Sequence, residues 1–218
     1  MFPIPVTVCY RIKGRPQRTR RMFECLGAQT FEGFELLAIG DNCPEYQKLL
    51  RSSWFDSWKN DFYRRKNYLF AMNCIREHMP DWGAKVTNIA IKIARGKYFM
   101  FIDNDDKILP CHVEHYYKSI AGTGYDFVAN PTEVCVDPDN PWIRHPQWRY
   151  GGVGHGELIV NTKFLRQMQS HQPVYGQDWK LIEEMLQKGK GGIGQPPFPT
   201  YIVMSNPNKI ETGYENDK

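Results

Sequence analysis

An α/β fold, with a central and mostly parallel sheet flanked by helices, is the prediction for this chain, and two patterns carry it. Short apolar runs that stop abruptly at polar residues alternate with longer stretches of helical periodicity. One run, Tyr98-Phe99-Met100-Phe101-Ile102, is apolar throughout, as a strand buried on both faces must be. It leads straight into Asp103-Asn104-Asp105-Asp106, three carboxylates within four residues. Carboxylates crowded at a sheet end repel one another and lose hydration. Either the cluster is a solvated acidic turn, or a divalent cation carrying phosphates sits among its oxygens. Ligands of open α/β sheets bind at the carboxyl ends of strands, where this cluster falls.

The elements follow in chain order. Val6-Thr7-Val8-Cys9-Tyr10 reads as a first buried strand, broken at Gly14-Arg15-Pro16. Pro16 suits the first turn of a helix whose apolar stripe is Met22, Phe23 and Leu26. Leu36-Leu37-Ala38-Ile39 predicts a second strand ending at Gly40-Asp41-Asn42. Residues 52–82, aromatic and charged without clean periodicity, read as an insertion of undefined structure. Val86, Ile89, Ala90, Ile93 and Ala94 form an i, i+3, i+4, i+7, i+8 stripe closed by Gly96, which predicts a helix feeding the acidic-ended strand. Tyr125–Ala129 and Glu133–Val136 are further strand candidates. Asp137 to Gly156, heavy in Pro, Gly, Trp and His, reads as a long loop, and loops of that length are usually functional or mobile. Leu181, Ile182, Met185 and Leu186 mark a last amphipathic helix ended by Gly189, and Tyr201–Met204 a last strand.

At 218 residues the chain can bury one substantial core and is expected to form a single domain over 1–218, whole or as part of a longer polypeptide. Its 41% hydrophobic and 24% charged residues are ordinary for a folded soluble protein. A net charge of +4 permits anionic ligands, and its scatter along the chain argues against a nucleic acid partner. Six widely spread cysteines, with no CxxC pair, form neither a zinc pattern nor a compact disulfide framework. Reduced thiols in a cytoplasmic setting are therefore expected. The start, Met1-Phe2-Pro3-Ile4-Pro5, lacks a signal-peptide pattern, and no apolar run approaches the ~20 residues of an integral membrane segment.

Three passages, in order, resemble the inverting family-2 glycosyltransferases. The first joins Val6–Tyr10 and Gly14-Arg15-Pro16 to Gln29-Thr30-Phe31, Phe34-Glu35 and the Leu36–Asp41 strand end. The second runs from Asn88 to Asp106 and ends in a DxD motif, Asp103-Asn104-Asp105. The third, Gly176-Gln177-Asp178-Trp179, is similar to the family's (E/Q)D element. The match covers most of residues 4–190. It departs from the family at Gly40-Asp41-Asn42-Cys43, where many relatives carry adjacent acids, and near Met204-Ser205-Asn206, where some add a metal-binding His. The chain more faintly resembles a glycosyltransferase domain of large algal viruses (chloroviruses) that glycosylate their own capsids.

The resemblance implies a GT-A type, Rossmann-like fold, with a nucleotide-sugar half over about 1–106 and an acceptor half over about 107–205. It implies a nucleoside-diphosphate sugar donor, a glycan or glycoprotein acceptor, and Mn²⁺ or Mg²⁺, since both suit oxygen ligands. By that likeness Asp105 is the metal ligand, with Asp103 at the metal or the ribose. Asp106 is either an alternate ligand or a turn cap. Asp41 is either the acid that accepts the N3–H of a uracil-type base or an Asx-turn residue. Thr7 and Tyr10 are candidates for the same pocket, and Arg15 for the donor phosphates. Asp178 is either the general base that deprotonates the acceptor hydroxyl or the N-cap of the last helix, and the two roles are compatible. Trp148, His155 and Glu157 are candidates for acceptor contact, with Trp142, Tyr150 and His145 alongside; exposed aromatics also serve as packing lids.

Two other classes fit parts of the pattern. A haloacid-dehalogenase type phosphatase also places DxD at a strand end, but on an early strand and with Thr or Val where this chain has Lys107. A glycan- or nucleotide-binding module without catalysis would keep the site and lack turnover.

Overall fold

The computed structural model describes residues 4–74, 84–135, 139–168 and 177–204. Val136, residues 75–82, Gly176, Ser205, Asn206 and both chain ends, on which parts of the sequence reading fall, lie outside the described residues. The first half runs β1 (Val6–Ile12), α1 (Pro16–Gly27), β2 (Glu35–Asp41), α2 (Pro44–Leu50), α3 (Ser53–Arg64), β3 (Tyr68–Cys74), α4 (Ala84–Ile93) and β4 (Tyr98–Asp103). After the acidic cluster come β5 (Lys107–Ile108), α5 (His112–Ile120), β6 (Phe127–Ala129), β7 (Thr132–Val134) and β8 (Trp142–Arg144). A 3₁₀ turn (His155–Glu157) leads into β9 (Leu158–Asn161), α6 (Thr162–Leu165), α7 (Gln177–Lys188), β10 (Gly191–Ile193) and β11 (Tyr201–Val203).

Seven strands form the main sheet in the order β10-β6-β9-β4-β1-β2-β3, and β5-β11-β7-β8 form a second. In the main sheet β9 runs antiparallel to both β4 and β6, while the other pairs are parallel. The predicted mostly parallel α/β sheet is therefore present, with one reversed strand, β9, third in the order. Period-two alternation sorts the side chains of β1 and β4 onto two faces. Val6, Val8, Tyr10, Tyr98, Met100 and Ile102 pack with Met22, Phe23 and Leu26 of α1 on one face. Cys9, Phe99 and Phe101 pack with Val86 and Ala90 of α4 and with Leu181, Ile182 and Met185 of α7 on the other. Each large side chain so buried contributes roughly 1.5–3 kcal/mol.

The stretch 52–82 is not an undefined insertion where it is described. Ser52 caps α3 by accepting from the Phe55 amide at 3.2 Å, and Phe55, Trp58 and Phe62 form a stacked ladder down one face. Trp58 ties that face to α1 by donating to the Phe23 carbonyl at 2.8 Å. β3 then adds the edge strand. The expected loop 137–156 contains β8, and the buried run Leu158-Ile159-Val160, too short to signal by periodicity, is β9.

Strand order places the site. The chain leaves β1 for β2 and β3 on one side, then returns as β4 on the other, so order reverses between β1 and β4. Crevices at such reversals are the usual ligand sites of α/β sheets. Register puts Arg11 opposite Asp103 and Ile12 opposite Gly40. The ends of β1, β2 and β4 thus share one edge. All six cysteines are free thiols. Among the described residues no helix is long and apolar enough to cross a membrane.

Candidate active site

Arg11 is the one charged residue of a buried strand, and such a group needs a partner. Its Nε donates to Asp103 Oδ1 at 2.8 Å, Nη2 reaches the same oxygen, and Nη1 donates to Thr87 Oγ1 at 3.5 Å. Burial works against the guanidinium's charge, but the carboxylates of Asp103 and Asp178 more than offset it and hold its pKa above the ordinary value. Asp103 is 32% exposed at this sheet edge. Its pKa is raised, chiefly by burial; Arg11 opposes the rise, Asp105 and Asp178 add to it, and His155 opposes it. The same charges show which groups converge here: Asp103, Asp105, Asp178, Arg11 and His155.

The loop between β1 and α1 is stapled to this cluster. Gly14 and Arg15 both have left-handed backbone, with φ of +61° and +54°. For Arg15 that conformation carries a strain of about 1 kcal/mol or more. Buried Asn104 holds it, its Nδ2 donating to the Lys13 carbonyl at 3.1 Å and to the Gly14 carbonyl at 3.3 Å. The result brings Arg15 Nη1 within 2.8 Å of Asp105 Oδ2. Lys13 Nζ lies 3.9 Å from Asp41 Oδ2 at the end of β2. Asp106 is turned away: Oδ2 accepts from the Tyr201 hydroxyl at 2.6 Å and Oδ1 from the Met204 amide at 3.0 Å. Burial, then the charges of Asp105 and Asp103, raise its pKa to about 7. Of its two expected roles, this is the structural one.

Several expected residues have other tasks. Thr7 lies at the opposite end of β1, fully buried, donating to Glu35 Oε2 at 2.7 Å and accepting from the Gly96 amide at 2.8 Å. It braces the sheet and does not reach the cleft. Tyr10 is buried with its ring edge on Phe23 at 5.6 Å, beneath the cluster rather than open to a ligand. Glu157, 1% exposed, is engaged by Arg144 Nε at 2.7 Å and by the Gly154 amide at 2.8 Å. Burial raises its pKa and Arg144 opposes the rise. It closes the 3₁₀ turn instead of facing an acceptor. His155, also 1% exposed, stacks on Phe101 at 4.7 Å and 14° and reaches Asp178 Oδ1 with Nδ1 at 2.9 Å. Trp148 is half-buried with its edge on Phe127. Exposed Tyr150 meets Trp179, the residue after Asp178, at 6.4 Å.

Sequence reasoning undervalued Arg11 and Asn104. The signal for Arg11 was its place within a buried strand. Asn104, the middle of Asp103-Asn104-Asp105, offers no pattern that predicts its contact with a loop 90 residues earlier.

Asp103 and Asp105, two positions apart, give two hard oxygen donors, and a cation there would relieve the repulsion that Asp105 adds to the effect of burial on Asp103. Among the described residues no group of three or more His, Cys, Asp or Glu side chains is placed to hold a metal alone. That donor set fits Mn²⁺ or Mg²⁺ bound by one or two carboxylates together with substrate phosphates and water.

No curated protein matches the chain in sequence. Among solved structures it is similar to S. aureus TarS 1–349 in complex with UDP, with a TM-score of 0.72 at 15% identity over 94% of this chain and 61% of that one. The complex of the same protein with UDP-GlcNAc gives a TM-score of 0.66 at 15% identity over 97% and 62%. The mannosyltransferase PcManGT from Pyrobaculum calidifontis, in complex with GDP-Man and Mn²⁺, gives 0.67 at 14% identity over 95% and 59%. The chain thus spans about three fifths of each, and the likeness establishes a GT-A type fold. The family model "Glycosyl transferase family 2" matches residues 7–183, from the first strand into the helix that carries Asp178, and the chain belongs to that family.

Proposed function

We propose that the chain transfers a sugar from a nucleoside-diphosphate sugar, with UDP-type donors favoured, to a hydroxyl of a glycan or glycoprotein, and that it does so with metal dependence and inversion. What supports this is the convergence of Asp103, Asp105 and Asp178 on one cleft, with Arg11, Arg15 and His155 among them, in a chain of this family. The similar proteins were captured with UDP, UDP-GlcNAc or GDP-Man. Their bases differ, so the choice of a uracil donor rests on Asp41 accepting its N3–H.

In this reading residues 1–106 hold the donor and 107–205 the acceptor. Asp105 and Asp103 would hold Mn²⁺ or Mg²⁺, which supplies charge neutralisation for a departing diphosphate. Arg15, beside Asp105, faces the same phosphates as a fixed cation. Asp178 accepts the proton of the acceptor hydroxyl as that oxygen bonds to the anomeric carbon. The bond from that carbon to the phosphate oxygen breaks on the opposite face, and its electron pair leaves with the nucleoside diphosphate. One displacement of this kind inverts the anomeric centre. Tyr150 and Trp179 border the acceptor side.

The test is nucleotide release from a panel of donor sugars with Mn²⁺, by wild type and by Asp178→Asn. Loss of a general base costs about 10²–10⁴-fold. A fall in kcat of that size with unchanged nucleotide affinity is expected. Equal rates in the two proteins would remove Asp178 from the chemistry.

A further inference from the structure

We infer that His155 is a positioning residue for Asp178, a buried imidazole that sets the direction in which the carboxylate faces the acceptor. The inference rests on Asp178 being the general base, as proposed above. Asp178 stands in the first turn of α7, and its side chain is 40% exposed. A helix N-terminus favours a carboxylate there but does not point it in one direction. His155 does, through a 2.9 Å contact from Nδ1 to Oδ1.

The imidazole and the turn that carries it are themselves held in place. Its ring lies flat on Phe101, which is a fully buried residue of β4 two positions before Asp103. The turn that carries it is closed by Glu157 on the Gly154 amide and braced from β8 by Arg144. The Glu157 carbonyl accepts from the Asn130 amide at 2.9 Å, and the Gly156 carbonyl from the Tyr116 hydroxyl at 3.1 Å. Gly156 is packed so closely on the Tyr201 ring that a side chain there has no room. The base is thereby referenced to the same strand that carries Asp103. Donor and acceptor groups sharing one rigid frame is the condition under which orientation lowers a barrier.

A carboxylate offers only acceptor oxygens, so in this 2.9 Å ion-pair contact the proton belongs on Nδ1. The acceptor's proton goes to the other carboxylate oxygen, and no proton passes to the ring. His155 therefore acts on the geometry of the transfer and not on its proton balance.

The experiment compares wild type with His155→Phe, which keeps the stack and removes the donor, and with His155→Asn, whose amide nitrogen takes the place of Nδ1. Kinetics of nucleotide release with Mn²⁺ are read beside calorimetric nucleotide affinity and melting temperature. A misplacement of about 1 Å costs on the order of 10²-fold. The expected result for His155→Phe is a kcat lower by ~10–100-fold, with donor KM and nucleotide affinity within about twofold. His155→Asn should recover most of that loss. A wild-type rate in His155→Phe overturns the inference and leaves the base assignment standing. Equal losses in the two variants, or losses that track affinity and melting temperature, assign the residue to packing and also overturn it. A wild type that releases nucleotide from no donor overturns the base assignment, and the inference with it.

Discussion

At the residue scale the site is an exercise in balancing charge. Three carboxylates on a strand end are tolerable here because Arg11 takes Asp103, Arg15 takes Asp105, and Tyr201 with the Met204 amide takes Asp106. Arg11 reaches its partner through strand register, and Arg15 reaches its own from the strained loop that Asn104 fastens. Asn104→Ala removes that donor from the Lys13 and Gly14 carbonyls, at a cost of about 0.5–1.5 kcal/mol. A matching fall in the denaturant midpoint is expected, together with weaker nucleotide binding as Arg15 loses its place. Unchanged affinity would separate the loop from the site. The acidic cluster, Asp41 and Asp178 were legible in the sequence because strand ends and helix starts leave local signals. The neutralising contacts were not, since Arg11 and Asp103 are 92 residues apart and meet only through strand register.

At the element scale the half of the chain before Asp103 was the easier to read. β1, α1, β2, α4 and β4 carry clear apolar periodicity, and the structure has each of them. α3 was missed although Phe55, Trp58 and Phe62 are spaced three and four apart, because Trp54 and Tyr63 blur the stripe with aromatics on other faces. After the cluster the strands are only two to four residues long, and their pairing is set by tertiary contacts that periodicity cannot register. The 3₁₀ turn is the clearest instance. Its sequence, His155-Gly156-Glu157, suggested sugar contact, but burial of Glu157 with Arg144 makes it a bracket. Arg144→Met leaves a buried carboxylate unpaired, and removing one partner of such a pair costs roughly 3–5 kcal/mol. Arg144→Met with Glu157→Gln should recover part of the loss in equilibrium unfolding, because the neutral amide is cheaper to bury. If the double variant is no more stable than the single, the loss comes from packing by the Arg144 stem.

At the scale of the whole molecule, α5 packs on β6 and β9 of the main sheet, and His112 at its start ties it to β11 of the second sheet. It is fully buried, its Nδ1 is 3.0 Å from Thr200 Oγ1, and its ring lies against Tyr116. Burial, with a further contribution from His115, lowers its pKa from 6.5 to about 3. The fold therefore holds the neutral ring, while the unfolded chain takes up a proton below pH ~6.5. Stability from this residue is fully present above that pH and falls as the pH drops toward 3, by about 1.4 kcal/mol per unit. Asp106 acts with the opposite sign between its unfolded value near 3.8 and about 7, since its folded form keeps the proton. Chemical denaturation of wild type and His112→Asn between pH 4 and 7 isolates the histidine: the difference between them should narrow on acidification. A difference constant with pH would mean that the ring is charged in the fold.

The central claim is that the end of β4 binds a nucleoside diphosphate through a divalent cation. Isothermal titration of UDP, GDP and their sugars into the protein, with Mn²⁺ and with EDTA, tests it most directly. The account predicts that one nucleotide, a uridine diphosphate by the Asp41 reading, binds with Mn²⁺, loses its affinity in EDTA, and does not bind Asp105→Ala at all. Absence of binding by every nucleotide in the presence of metal, or undiminished binding to Asp105→Ala, would contradict it and return the acidic cluster to a structural turn.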